Sequence, residues 1–264
     1  MKALVSLSFD DGRVDNYTIA YPILKTYSLP ATFNITTGFV EGKFGNPNGL
    51  TMSAPMTIEQ LLDMQEDPLI EIAGHGYMHR NTIEDIILGV DSLKNHFINC
   101  KKHNNIWGFA SPGTALDLNY YRKNREKMKQ HGIVYTRLSL RYLSYPRIKS
   151  LVRKMSRVIP HPFFYKLAYK DTLMDRVEED LIYSVPVLSS ITVSELMSLV
   201  RMAIKKNKLL VLMFHSIMEE DNMRDCWDYS TDKFRLLCKS IADLRDEGQL
   251  DVVTTMEAYN LIKN

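Results

Sequence analysis

The sequence predicts an α/β fold, laid out as a (β/α) barrel or as an open doubly wound sheet. Two observations carry this reading. Short runs of four to seven residues, apolar and rich in β-branched or aromatic side chains, alternate with longer stretches at helical spacing. No internal repeat or low-complexity linker interrupts the alternation, so the 264 residues read as one domain, 1–264.

In chain order the predicted strands are 3–9, 31–35, 70–73, 106–110, 133–136, 181–185, 209–214 and 251–254. Each is short and almost continuously apolar, as a strand buried on both faces must be. Between them, Thr57-Ile-Glu-Gln60 reads as a capping box that opens a helix carrying Leu61, Leu62 and Met64. Residues 82–99, 119–131, 192–206 and 231–247 have helical spacing, and Gly248 stops the last of these.

Composition narrows the class. Hydrophobic residues make up 45% and charged residues 24%, the profile of a globular chain. The net charge of +2 is too small for a nucleic-acid polycation. No apolar run reaches the roughly 18 residues of a membrane span. Cys100, Cys226 and Cys238 are odd in number and widely spaced, which reads as reduced thiols. Met1 leads through Lys2 straight into the first strand, too short a run for a secretory signal. With Met1 as the native start, the expected location is the cytoplasm.

One segment departs from the alternation. Residues 141–170 hold eight Lys or Arg and no acid, interleaved with Tyr142, Tyr145, Phe163, Phe164, Tyr165 and Tyr169 and punctuated by Pro146, Pro160 and Pro162. Extended back to residue 119, the segment carries fourteen cations against Glu126, a surplus of +13, which leaves −11 on the rest of the chain. Residues 141–180 therefore read as a basic, aromatic-rich insertion between barrel elements. Within it, 150–158 has apolar residues at 151, 152, 155 and 158 and cations at 153, 154 and 157. Such a helix could lie on an anionic membrane surface, or it could pack its apolar side on the barrel or on a second subunit.

Four stretches stand at predicted strand ends, where α/β folds place their sites. In Ser8-Phe-Asp-Asp-Gly12, two adjacent carboxylates end a buried strand, a costly placement unless a cation or hydrogen bonds compensate. In Ala73-Gly-His-Gly-Tyr-Met-His79, two histidines four apart share a face if a helix begins there; with a carboxylate they suit Zn²⁺. The third is the turn Phe109-Ala-Ser-Pro-Gly113, and the fourth is His215 at the end of an apolar strand. Taken singly, each has an ordinary reading: an acidic turn, one packed and one exposed histidine, a plain loop, a core histidine. Their joint order, placement and residue types do not.

With these four motifs the sequence resembles the polysaccharide deacetylases, the NodB-homology group or carbohydrate esterase family four, over nearly its whole length. Phe9-Asp10-Asp11-Gly12 is similar to that family's first motif, and His75 with His79 to its H-x-x-x-H motif. Phe109–Gly113 is similar to the third motif, and His215 to the last. The resemblance implies a distorted (β/α) barrel of seven or eight strands. It implies Asp11, His75 and His79 as ligands of a divalent metal, usually Zn²⁺, with Asp10 as general base and His215 as general acid. It further implies hydrolysis of the N-acetyl or other N-acyl group of an amino sugar in a glycan or glycan precursor. General chemistry supports the roles: a zinc ion brings the pKa of water to about 7. A backbone N–H at Gly113 is the matching oxyanion donor, and an imidazolium can protonate the departing amine.

Two departures qualify the resemblance. Ala110 stands where many members have an arginine, and Arg137, at the end of a strand, is the candidate substitute. The family's fourth motif, with aspartate and tryptophan, is not visible near residues 131–140. The same machinery could remove a formyl group from a sugar on a lipid or nucleotide carrier. A non-catalytic glycan-binding member is the remaining alternative, and it would need no base, metal and acid set.

Overall fold

The structure, a computed structural model, describes residues 2–43, 53–100, 105–114, 116–140, 146–158 and 161–263. Its strands are β1 (Ala3–Phe9), β2 (Ala31–Ile35), β3 (Ile70–Gly74), β4 (Gly108–Ala110), β5 (Tyr135–Ser139), β6 (Leu181–Pro186), β7 (Leu209–Phe214), β8 (Ser216–Met218), β9 (Asp228–Ser230) and β10 (Leu250–Val252). The first seven pair in parallel in chain order, and β1 pairs again with β7, which closes the barrel. The eighth strand, β10, pairs with β1 over Ala3–Val5, whereas β2 pairs with it only over Leu7–Phe9. The barrel is therefore splayed between β1 and β2 at its lower end, and β10 fills the gap. This settles the choice left open above in favour of a barrel.

Several predicted elements differ at their edges. The strand expected at 133–136 begins at Tyr135 and runs to Ser139, so Arg137 lies mid-strand. The fourth strand is only three residues long. The pair β8–β9 has no counterpart in the sequence reading, because three-residue strands show no periodicity. The capping box Thr57–Gln60 forms as expected, with both reciprocal hydrogen bonds. Among the described residues, no helix is long and apolar enough to cross a membrane.

Side-chain alternation along β1 divides the interior. Val5, Leu7 and Phe9 join the large apolar cluster between sheet and helices. Leu4 closes the lower end of the barrel with Tyr135, Ile182, Leu209 and Val211. Ser6 and Ser8 occupy the alternate positions above it and belong to a polar interior: Ser6 faces Thr255, and Ser8 accepts from Asn34. Phe9 stacks on Phe33 and Phe214 with ring centroids 4.7 and 5.2 Å apart. These rings fasten β1, β2 and β7 together immediately below Asp10.

Between β5 and β6 stand two helices, Pro146–Val158 and Pro162–Tyr169, packed on each other. The second also packs on the helix Val193–Lys206. The apolar residues of 150–158 do not pack on the barrel as a unit: Val152 turns toward the core, whereas Leu151 and Met155 are exposed. Arg141, Tyr142, Tyr145 and Pro160 lie outside the described residues.

Candidate metal and acid–base site

The strand ends deliver the motif residues to one end of the barrel. Asp10 and Asp11 follow β1, His75 follows β3, Gly113 follows β4 and His215 follows β7. Asp10 is tied to the β7 terminus by its own N–H, which donates to the carbonyl of Phe214 at 2.9 Å. Asp11 adopts a left-handed backbone, φ 78°, as does Gly12 at φ 83°. Holding a non-glycine residue there costs on the order of 1–3 kcal/mol, a strain that clusters at functional sites. The turn lets consecutive carboxylates enter one cleft, although strand residues alternate sides.

Asp11, His75 and His79 form one cluster whose ligand atoms all lie within 4.8 Å of one another. Oδ1 of Asp11 is 3.5 Å from Nε2 of His75 and 3.4 Å from Nε2 of His79, and the two Nε2 atoms are 3.2 Å apart. Ligands held tetrahedrally at bonds of about 2.0–2.2 Å stand about 3.3–3.6 Å from each other. The donor types and separations therefore fit a small divalent cation. Nδ1 of His75 is 2.8 Å from the carbonyl of Ala110. As donor to that carbonyl, Nδ1 keeps the proton and leaves the Nε2 lone pair facing the cluster. Oδ2 of Asp11 accepts from Nε and Nη2 of Arg13 at 3.0 and 2.8 Å.

The two histidines do not meet on a helix, the condition under which their spacing alone would put them on one face; a loop brings them together. Residues 75–79 are irregular, with bends at 77–79, and the helix Ile83–His96 starts only after its N-cap Thr82. Asp85, in the first turn of that helix, shapes the loop: Oδ2 accepts from the N–H groups of Tyr77 (3.1 Å) and Arg80 (2.9 Å), and Oδ1 from Met78 (2.8 Å). Gly76 stands at φ 80°, and a Cβ there would lie 2.6 Å from Oδ2 of Asp85. His79 itself sits at φ 58°. Sequence reasoning missed Asp85, although the spacing Thr82-x-x-Asp85 marked it as a capping residue.

Asp10 is held apart from this cluster. One guanidinium nitrogen of Arg137, Nη2, lies 2.6 Å from both of its oxygens, and Asn34 donates to Oδ1 at 2.8 Å. Nη1 of Arg137 donates to Ser184 at 2.7 Å. Arg137 and Ala110 are register partners on neighbouring strands, so an arginine at 137 stands at the level of position 110. Asn34, on β2, was not foreseen; a polar residue within a strand announces itself only once the barrel interior is known to be polar.

Burial pushes the Asp10 carboxyl up, but the charges of Arg137, His75 and His215 outweigh it and hold Asp10 below the usual carboxylate range. The same contest, with hydrogen bonds from His75 and His79 and the charge of Arg13, holds Asp11 well below that range. His215 moves the other way: burial lowers its pKa, and Asp11 and Asp10 oppose the shift only in part. Its Nδ1 is buried with no hydrogen-bond partner among the described residues. The ring packs on Trp227 at 4.4 Å between centroids, tilted by 47°. Trp227 also escaped the sequence reading. Gly113 lies exposed in the turn Pro112–Thr114 at φ 56°.

The model of the family described as polysaccharide deacetylase matches residues 1–146. Among solved structures, a Mycobacterium smegmatis protein classed with the polysaccharide deacetylases aligns with TM-score 0.57 and 12% identity over 99% of this chain and 90% of its own, a likeness of fold. The BpsB deacetylase domain of Bordetella bronchiseptica aligns at TM-score 0.40 and 18% identity, over 50% of this chain and 62% of that one. The deacetylase PplD of Streptococcus pyogenes, solved with acetate, aligns at 0.39 and 21%, over 50% and 54%. The chain thus covers less than two thirds of the length of these last two. No curated protein matches it significantly.

Proposed function

Because this chain belongs to the polysaccharide deacetylase family, we propose that it is a metal-dependent hydrolase that removes an N-acyl group, acetyl in the first instance, from an amino sugar of a glycan or glycan precursor. The observation that carries the reading is the division of labour between adjacent aspartates. Asp11 faces two imidazole nitrogens at 3.4 and 3.5 Å, whereas Asp10 is clamped by Arg137 at 2.6 Å. A glycan-binding protein has no use for a buried carboxylate held ionised beside a ligand set.

Asp11, His75 and His79 would hold the cation, Zn²⁺ by its preference for two imidazoles and a carboxylate. When bound, such an ion would polarise the acyl carbonyl and acidify water. Asp10 takes the proton from the attacking water, and Arg137 and Asn34 fix its orientation and keep it ionised beforehand. His215 returns a proton to the amine nitrogen as the C–N bond breaks; its lowered pKa makes the imidazolium a ready donor. The backbone N–H of Gly113, in the turn after β4, is the candidate donor to the oxyanion.

The test is release of acid from a panel of N-acetylated and N-formylated amino sugars, presented as oligosaccharides and on nucleotide and lipid carriers. The expected result is turnover of at least one acylated sugar that chelation abolishes and added Zn²⁺ restores. Turnover indifferent to chelation, or glycan binding without hydrolysis across the panel, overturns the proposal.

A further inference from the structure

The two helices between β5 and β6 carry a surface that the barrel does not use. Leu151 is 59% exposed, Met155 38% and Phe163 58%. At helical spacing Leu151, Lys154 and Met155 fall on one outward face of Pro146–Val158, while Val152 and Ser156 turn inward. Apolar and cationic side chains are thus interleaved on the solvent side.

Four cations there, among the described residues, also lack a carboxylate partner. On the preceding helix, Leu118–Gln130, the basic side chains meet carboxylates: Arg122 lies 2.9 Å from Glu179, and Arg125 and Lys129 lie 3.2 and 2.9 Å from Asp180. Arg153, Lys154, Lys166 and Lys170 have no such partner among the described residues. The stretch 141–170 itself holds eight cations and no acid.

We propose that this helical pair docks on an anionic lipid bilayer, with Leu151, Met155 and Phe163 entering the headgroup boundary and the surrounding lysines and arginines facing lipid phosphates. Charge decides for this occupant over a second copy of the chain. A symmetric contact would bring the same unneutralised cations against themselves, whereas a negative surface satisfies them and leaves the apolar side chains an apolar phase. This inference does not depend on the hydrolase reading, and its test involves no turnover.

The full chain is sedimented with phosphatidylcholine vesicles and with vesicles that also contain phosphatidylglycerol, at low and at high salt. Binding is expected only with phosphatidylglycerol at low salt. Lys154→Gln with Lys166→Gln should weaken it about five-fold for each cation removed, and Leu151→Gln with Phe163→Ser should weaken it at constant charge. The substituted side chains are exposed or half-buried, so each variant should keep the parent's thermal midpoint. No sedimentation with phosphatidylglycerol vesicles at low salt overturns the proposal. So does binding that neither variant pair weakens, or a concentration-dependent dimer that Leu151→Gln dissociates.

Discussion

Arg137 grips Asp10 through a single nitrogen, Nη2, placed 2.6 Å from both carboxylate oxygens. Both side chains are almost fully buried. Register makes the contact possible. In a parallel ladder Arg137 lies directly beside Ala110, so the cation arrives from β5 at the level where an arginine on β4 would stand.

Removing that cation should be felt in stability before it is felt in rate. Arg137→Gln leaves a buried carboxylate unpaired, a loss of about 3–5 kcal/mol by chemical denaturation at neutral pH. The deficit should depend on pH. In the parent, Asp10 is depressed below its ordinary 3.8, so its contribution is present above that value and lost as pH falls through the folded pKa. In the variant, burial acts unopposed by Arg137 and raises the carboxyl. The gap between parent and variant should therefore narrow on acidification, first above 3.8 as the variant's raised carboxyl takes up its proton and then below 3.8 as the parent's does. A gap constant from neutral to acid pH would mean that the ion pair is not its source.

Binding and chemistry should separate between the two aspartates. His75→Ala or His79→Ala should lose the bound divalent ion, read by calorimetric titration, and lose activity with it. Asp10→Asn should keep the ion and lose about 10²–10⁴ in kcat, as removal of a general base does. Full metal occupancy in either histidine variant would remove that residue from the ligand set.

Trp227 should set the upper pH limit. Its ring covers His215, whose burial lowers its pKa. Trp227→Ala admits water and raises that pKa toward the ordinary 6.5. A general acid works below its pKa, so the alkaline limb of kcat/KM should move to higher pH, whereas His215→Ala should abolish that limb and cost about 10²–10⁴ in kcat. A limb unmoved in both variants would belong to another group.

The architecture was legible where physics leaves a local trace. Continuous apolar runs marked β1, β2 and β7, and cap chemistry marked the helix after Thr57. Asp10, Asp11, His75, His79 and His215 were found as motifs because they stand at strand ends. What escaped depends on contacts across the barrel. Asn34 is read as a site residue only once β1 and β2 are known to be paired, and Trp227 reaches His215 from the loop before β9. How His75 and His79 come together was left open by their spacing, because periodicity cannot reveal a loop wound on a downstream carboxylate.

That carboxylate gives the last prediction. Asp85 is not part of the Asp11, His75 and His79 cluster, but its two oxygens accept from three N–H groups of the loop that carries His79. It also sits in the first turn of the following helix, where an acid is favoured by the helix dipole alone. The two roles can be told apart. Asp85→Ala should weaken divalent-ion affinity by about 10–100-fold, the usual consequence of losing a residue that orients a ligand. Asp85→Asn should fall between, because an amide offers one acceptor oxygen in place of two. Glu84, the exposed neighbour in the same first turn, shares the dipole contribution but has no hydrogen bond to the loop among the described residues, so Glu84→Ala should leave the affinity unchanged. If Asp85→Ala and Glu84→Ala bind the ion as tightly as the parent, the loop holds His79 without Asp85, and the close packing of Gly76 and Tyr77 on Gly89 is what keeps the loop in place.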